Sequence, residues 1–164
     1  KKLVGWIVVL GIAIVAVIAF MQMRRSSVEQ EVSLVDRGRY LVKIAGCNDC
    51  HTAGYVMNLG AVEESNWLMG DMLGWQGPWG TTYAINLRLY MQDVTEEQWL
   101  QIVQQLNSRP PMPYYVLQQM KEEDLRAIYR FVRSLGPAGD PAPPYLPPGV
   151  EPTSTVFRLV EPAQ

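Results

Sequence analysis

The sequence is poor in the side chains that usually hold metal ions or form disulfides. Its 164 residues include only two cysteines and one histidine, and all three lie in the pentad Cys47–His51. A structural zinc site takes four Cys, His or acidic ligands, and no second cluster exists to complete one. A thioredoxin-like redox pair is expected in a strand–helix–strand context, which is not visible nearby. Thiol redox chemistry and a plain disulfide stay alternatives for the cysteines.

An excess of basic residues is also missing. Four of the 14 basic residues, Lys1, Lys2, Arg24 and Arg25, flank the one long apolar run of the chain. The remaining 10 basic residues are outnumbered by 16 acidic residues, so residues 26–164 carry a formal charge of about −6. Nucleic-acid binding and docking on anionic lipid both require a basic surface, so the sequence argues against both.

The one long apolar run covers residues 3–23, where Gln22 is the only polar side chain. At about 1.5 Å rise per residue, a helix of this length spans the ~30 Å hydrocarbon layer of a membrane. No small-residue cleavage site is obvious after Phe20. The run therefore predicts an uncleaved transmembrane anchor over residues 1–25, with a cleaved signal peptide as the alternative. A short polar linker is predicted over residues 26–33.

The pentad reads Cys47-Asn48-Asp49-Cys50-His51. Cys-x-x-Cys-His is the pattern by which a c-type haem is attached to protein. Each thiol can add to one vinyl group, and the two-residue spacer puts both sulfurs on one edge of the porphyrin. His51 is then held below the iron as its proximal ligand. The sequence predicts one covalent haem on Cys47 and Cys50.

A second axial ligand would have to be a methionine, an unusual group or nothing, because His51 is the only histidine. Prolines on both sides of Met112 exclude a helix and favour an extended, rigid loop. Met57, Met69, Met72, Met91 and Met120 have no such frame. Candidate contacts of the haem or its propionates are aromatic, amide and arginine side chains: Trp79, Tyr83, Asn86, Arg88 and Arg109.

Apolar spacing predicts three helices beyond the linker. The first runs from Leu34 through Gly38 into the pentad, and its glycine would let another helix approach closely. The second covers residues 95–107, with Thr95 and Gln98 in a capping-box pattern. The third covers residues 121–135, with acidic residues at its start and arginines at its end. The glycine-rich stretch 53–94 has little periodicity and is expected to wrap a large apolar ligand.

These features resemble a membrane-anchored, single-haem class I cytochrome c. The matching segments are CNDCH, GPWGTTYAINL at 77–87, RPPMP at 109–113 and the closing EEDLRAIYRFVRSL. The resemblance covers residues 34–136 and implies an all-α fold around one haem, with Met112 as distal ligand. It also implies that two helices cross near Gly38 and Tyr129, and that the protein is an electron carrier and not an enzyme.

The resemblance carries expectations about location and partners as well. The predicted anchor makes the chain a single-pass protein of the bacterial inner membrane, and covalent haem attachment, which in bacteria implies the outer face of that membrane, puts the haem domain in the periplasm. A metal-binding protein of the respiratory chain is expected, whose partners are a membrane dehydrogenase, an oxidase or other respiratory complex subunits. The alternative is a haem enzyme or gas sensor with an open distal iron site.

The C-terminal arm, residues 137–164, holds eight of the 12 prolines. Residues 154–160 have strand-like composition. Such a segment could add to the edge of a partner's sheet, which would make the chain a subunit of a complex. The alternative is a flexible tail with a few scattered apolar residues.

Overall fold

The computed structural model describes residues 2–159, apart from the side chains of residues 2–10 and 13. The described chain divides into two compact units, one that ends at residue 34 and one that begins at residue 35. The first unit is part of a single helix. The second contains the remaining helices, a small sheet and all residues predicted to form the site.

Helix α1, Lys2–Ile44, begins in the first unit and ends in the second. Residues 26–33, predicted as a linker, are helical, and there Arg25 Nε donates to Glu29 Oε1 at 3.0 Å. Both side chains of this pair are largely exposed to solvent, so it adds little to stability. The apolar run is thus the first part of a 43-residue helix that continues through charged residues.

The predicted membrane anchor is wrong. Within residues 2–159, no helix is long and apolar enough to cross a membrane. Part of the predicted segment, the side chains of residues 2–10 and 13, lies outside the described residues. The expectation of a single-pass protein of the bacterial inner membrane, with its haem domain in the periplasm, rested on that anchor and is corrected with it.

The second unit contains five further helices, several of them one turn long. They are α2 (Cys47–His51), α3 (Leu87–Tyr90), α4 (Glu96–Gln105), α5 (Tyr114–Gln118) and α6 (Glu122–Ser134), with a 3₁₀ turn at Glu64–Asn66. The capping box predicted for α4 is confirmed. Thr95 Oγ1 accepts from the Gln98 amide at 3.2 Å, and Gln98 Oε1 accepts from the Thr95 amide at 2.8 Å.

Helix α6 provides much of the core of the second unit, as its apolar stripe predicts. Its buried side chains recur at helical spacing on one face: Leu125, Ala127, Ile128, Tyr129, Phe131 and Val132. Phe131 is fully buried and packs edge-to-face on Trp67, with ring centroids 6.2 Å apart. Acidic residues occupy the first turn of α6, where they complement the positive end of the helix dipole.

Gly38 lies where the end of α1 crosses α6. A Cβ on Gly38 would stand 2.0 Å from the Ala127 carbonyl oxygen and 2.6 Å from Phe131 Cβ. Only glycine therefore permits this contact. The residues of α6 against Gly38 are Ala127 and Phe131, whereas Tyr129 donates its hydroxyl to the Val94 carbonyl at 2.9 Å.

The second unit also holds a three-stranded sheet, so the expected all-α fold is wrong. About half of the described residues are helical, and the three strands contain 11 residues. Strands β1 (Gly74–Gly77) and β2 (Gly80–Tyr83) form an antiparallel hairpin, and β3 (Val156–Arg158) pairs with β1 in parallel. The strand order is β2-β1-β3. Glycines at the turn and β-branched residues in β2 favour this hairpin within the stretch that lacks helical periodicity.

The C-terminal arm folds back onto both edges of the hairpin. Its strand β3 pairs with β1, and Leu146 exchanges two backbone hydrogen bonds with Thr81 of β2, at 2.8 and 3.0 Å. The expectation that this segment adds to a partner's sheet is therefore corrected: the strand-like residues complete the sheet of their own chain. Gly80 makes the close approach possible, because a Cβ there would lie 2.2 Å from the Leu146 carbonyl oxygen.

We expect Gly38→Ala to lower the free energy of unfolding by about 1–3 kcal/mol, because the new methyl group overlaps backbone and core atoms of α6. The measurement is urea unfolding followed by circular dichroism. Gly11→Ala is the matched control, since Gly11 lies in the same helix and nothing lies within 4 Å of its Cβ position. Equal stability of the two variants would contradict the crossing described above.

Candidate functional site

A largely apolar cavity of about 350 Å³ lies inside the second unit. Volumes of roughly 300–1,000 Å³ are typical of sites for small organic ligands and cofactors. Helix α2, strand β2, helices α4 to α6 and the loop before α5 all contribute to its wall. Among the apolar side chains in the lining are Trp75, Ile85, Leu87, Met91, Trp99, Ile102, Leu106, Val116, Leu117 and Ile128.

The two cysteines line this cavity from the single turn of α2. Residues three apart on a helix point to the same side, so Cys47 and Cys50 face the cavity together. Both are free thiols. The turn begins after Gly46, whose φ of 70° is a left-handed conformation that glycine adopts without strain.

The thiols are in surroundings that oppose ionisation. Burial raises the pKa of Cys47 to about 11, and burial likewise raises the pKa of Cys50. Nearby carboxylates act in the same direction on Cys50, with Asp49 and Asp71 the contributors. Thiol–disulfide catalysts need the opposite, a thiolate stabilised near neutral pH. This environment argues against the redox-pair alternative.

His51 lines the cavity between the cysteine turn and the following loop. Its Nδ1 lies 2.8 Å from the Ile85 carbonyl oxygen, which can only accept, so Nδ1 carries the proton. Nε2 is then the nitrogen with the free lone pair. Burial lowers the pKa of His51, and the hydrogen bond to Ile85 acts in the opposite direction. A neutral imidazole with a fixed tautomer is the form that coordinates a metal.

Backbone and side-chain hydrogen bonds connect the pentad to residues 68–70. The Gly70 amide donates to the His51 carbonyl at 2.8 Å. Thr52 Oγ1 accepts from the Leu68 amide and donates to Asn48 Oδ1, each at 2.8 Å. Asn48 and Thr52 are nearly inaccessible to solvent. This buried polar chain fixes α2 against the segment that leads into the hairpin.

Met112 also lines the cavity, together with Pro111 and Pro113 on either side. Two further methionines do so, Met91 and Met120, while Met57, Met69 and Met72 lie outside the lining. Met91 is fully buried in the core. The Met112 loop is attached to β2 through Thr82 Oγ1, which donates to the Pro110 carbonyl at 2.7 Å.

The structure separates the five predicted propionate contacts into two groups. Tyr83 and Arg109 line the cavity, whereas Trp79, Asn86 and Arg88 are absent from its lining. Asn86 caps α3 and donates to carbonyls of the arm, at Ala138 and Asp140.

Arg88 is buried and serves the backbone instead of a ligand. Its guanidinium donates to the carbonyls of Ser65 and Gly136, both at 2.7 Å, and to the carbonyl of Leu135. The bonds to Leu135 and Gly136 satisfy carbonyls just after the end of α6, which have no partner within the helix, and the bond to Ser65 connects this end to the 3₁₀ turn. Trp79 Nε1 is buried and has no hydrogen-bond partner among the described residues.

The expectation that the protein binds a metal is corrected for a metal ion held by side chains alone. In the described part of the chain, no group of three or more His, Cys, Asp and Glu residues could hold a metal ion. The sequence analysis likewise missed some contributors to the site. The Ile85 carbonyl is a backbone acceptor and leaves no mark in the sequence, and Trp75 and Thr82 reach the cavity only through the hairpin.

Comparisons of the chain with protein-family models, with curated proteins and with solved structures gave no match in any of the three.

Thr52→Val should lower the free energy of unfolding by about 1–3 kcal/mol, because it keeps the side-chain volume but leaves the buried Leu68 N–H group and Asn48 Oδ1 without their partner. Thermal or urea unfolding measures the change. Thr153→Val, at a position in the arm with no side-chain hydrogen bond among the described residues, is the control. A Thr52→Val protein as stable as the control would contradict the role of this buried polar chain.

Proposed function

We propose that the protein is a c-type cytochrome that transfers single electrons through one covalently attached haem. The observation that carries the proposal is the convergence of both free thiols, the only histidine and Met112 on a single apolar cavity. A chance Cys-x-x-Cys-His match in a sequence need not lie beside a cavity. Here the pentad lines a cavity whose volume is suited to a cofactor.

The cysteines supply the covalent attachment. Each S–H bond would add across one vinyl C=C bond of a haem, so that one S–C bond and one C–H bond would form and no oxidant would be required. The same-side placement of Cys47 and Cys50 on α2 matches a ligand edge with two neighbouring reactive groups.

His51 and Met112 are the proposed axial ligands. The Ile85 carbonyl orients the imidazole, and hydrogen bonding at Nδ1 makes the opposite nitrogen a better electron donor. Met112 provides a soft thioether from a loop whose prolines restrict its backbone. When bound, the haem supplies a centre that accepts and releases one electron, and a His/Met ligand pair favours a raised potential.

The cavity wall supports electron transfer over substrate chemistry. Apolar side chains exclude water and limit the rearrangement that accompanies a change of charge. Among the described lining residues, His51 is the only histidine, so no second imidazole faces a bound small molecule. The proposed electron donor or acceptor is a dehydrogenase, an oxidase or another respiratory complex subunit. A haem enzyme or gas sensor with an open distal site stays the alternative.

The first functional prediction is covalent haem. Protein purified from a host that attaches c-type haem should keep its colour through acid–acetone extraction, because thioether bonds survive it. The pyridine haemochrome spectrum should show two saturated vinyl groups in the wild type. Cys47→Ala and Cys50→Ala should each leave one vinyl group intact and shift that spectrum. Haem that is fully extractable from the wild type would contradict the proposal.

The second functional prediction concerns Met112. Met112→Ala should abolish the weak sulfur-to-iron band at the red end of the oxidised spectrum and lower the reduction potential, because a soft, neutral thioether favours the ferrous state and would be lost. Met120→Ala and Met57→Ala are the matched controls. Met120 lines the same cavity, while Met57 is 85% exposed and lies outside it. Both controls should keep the band.

Carbon monoxide binding separates the proposal from its alternative. The ferrous wild-type protein should combine with carbon monoxide slowly, and Met112→Ala should do so rapidly, because the substitution opens the distal side. Rapid binding by the wild type, together with an unchanged spectrum in Met112→Ala, would favour a haem enzyme or sensor.

A further inference from the structure

The loop that carries Met112 has few means of holding itself in place. Three of its residues, Pro110, Pro111 and Pro113, have no backbone N–H group. Its attachments therefore use carbonyl oxygens and side chains. One is the hydrogen bond from Thr82 Oγ1 to the Pro110 carbonyl, at 2.7 Å. The other is made by the side chain of Arg109.

The Arg109 guanidinium lies over the ring of Tyr145 in the C-terminal arm, with its central carbon 3.8 Å from the ring centroid. This is well within the range of about 6 Å over which a cation is attracted to an aromatic face. Arg109 makes no hydrogen bond among the described residues. Arg109 also lines the cavity.

Tyr145 is itself fixed to the hairpin. Its hydroxyl donates to the Trp79 carbonyl at 2.8 Å, and the next residue, Leu146, is paired with Thr81 through two backbone hydrogen bonds. Thr81 and Thr82 are adjacent in β2. One therefore holds the arm, and the other holds the Met112 loop. Tyr145 of the arm thus contacts both the hairpin, through the Trp79 carbonyl, and the Met112 loop, through Arg109.

We propose that Tyr145 is a positioning residue for the Met112 loop. Its ring restrains Arg109, the loop stays closed on the cavity, and Met112 stays in place as axial ligand. The inference rests on the proposed function for the ligand role of Met112. In this proposal the arm acts within its own chain. It determines how often the Met112 thioether leaves the distal side of the haem.

The test uses the full-length haem protein and five variants. Tyr145→Leu removes the aromatic face, and Tyr145→Phe keeps that face but loses the hydroxyl bond to Trp79. Arg109→Leu removes the cation, and the double variant Tyr145→Leu/Arg109→Leu measures the coupling between the two residues. Tyr40→Leu is the control, at a tyrosine that is 60% exposed and makes no hydrogen bond or ring contact in the described structure.

We expect Tyr145→Leu and Arg109→Leu each to raise the rate of carbon monoxide binding to the ferrous protein by about 2- to 5-fold, the factor that loss of a partly exposed cation–π contact gives. The double variant should bind no faster than the faster single variant. Tyr145→Phe should stay closer to the wild type than Tyr145→Leu does, and Tyr40→Leu should equal the wild type. The sulfur-to-iron band should weaken in the order of the rates.

Amide hydrogen exchange gives a second readout that does not involve the haem. The Tyr114 amide donates to the Met112 carbonyl at 2.9 Å, so a loop that loses its fixed conformation breaks this bond and exposes the amide. Its exchange should accelerate in Tyr145→Leu and in Arg109→Leu but not in Tyr40→Leu. If Tyr145→Leu fails to fold, Arg109→Leu provides the same comparison at an exposed position.

Two results would overturn the inference: wild-type rates in both single variants, or fully additive effects in the double variant. A wild-type protein without covalent haem would instead overturn the proposed function and with it the ligand role of Met112. The loop-positioning role of Tyr145 would then be decided by the exchange of the Tyr114 amide alone.

Discussion

The site depends first on the hydrogen bond between His51 Nδ1 and the Ile85 carbonyl. The pentad is one turn of helix, too short to hold its own orientation, because isolated helices of that length are unstable in water. This bond sets which nitrogen of His51 is free, and the Gly70 amide fixes the carbonyl of the same residue. The sheet-containing segment, residues 68–86, is therefore the frame for the chemistry that the pentad offers, although nothing in the pentad itself identifies that frame.

The hairpin joins the two sides of the proposed site. On one side it leads directly into Ile85, which orients His51, and on the other it holds the Met112 loop through Thr82. The arm strengthens the hairpin along both edges, with β3 beside β1 and Leu146 beside β2. Backbone pairing of this kind is cooperative, because each added strand satisfies polar groups that would otherwise need water. Distortion of either strand would thus reach both proposed axial ligands.

Local patterns predicted the local structure well. The capping box at Thr95, the apolar stripe of α6 and the close helix crossing at Gly38 follow from spacing and sterics within a few residues, and the structure contains them. The sheet and the fate of Arg88 did not follow, because both depend on contacts between distant parts of the chain. Strand-like composition in the arm indicated an extended segment but not which edge it would join. Conversely, Arg88 was a candidate for a propionate contact because arginine pairs well with carboxylates, whereas carbonyls at the end of α6 accept its hydrogen bonds.

The parallel pairing of β1 with β3 has a consequence for the order in which the site is assembled. β3 follows every other described element in the chain, so it emerges last during synthesis. Trp75 of the cavity wall packs on Phe157 of β3, with ring centroids 5.4 Å apart. Before β3 is synthesised, Trp75 lacks this packing partner. Cys47 and Cys50 are translated much earlier. The part of the wall that carries the two cysteines is thus translated well before the strand that supports Trp75, so the complete cavity depends on the last described element of the chain.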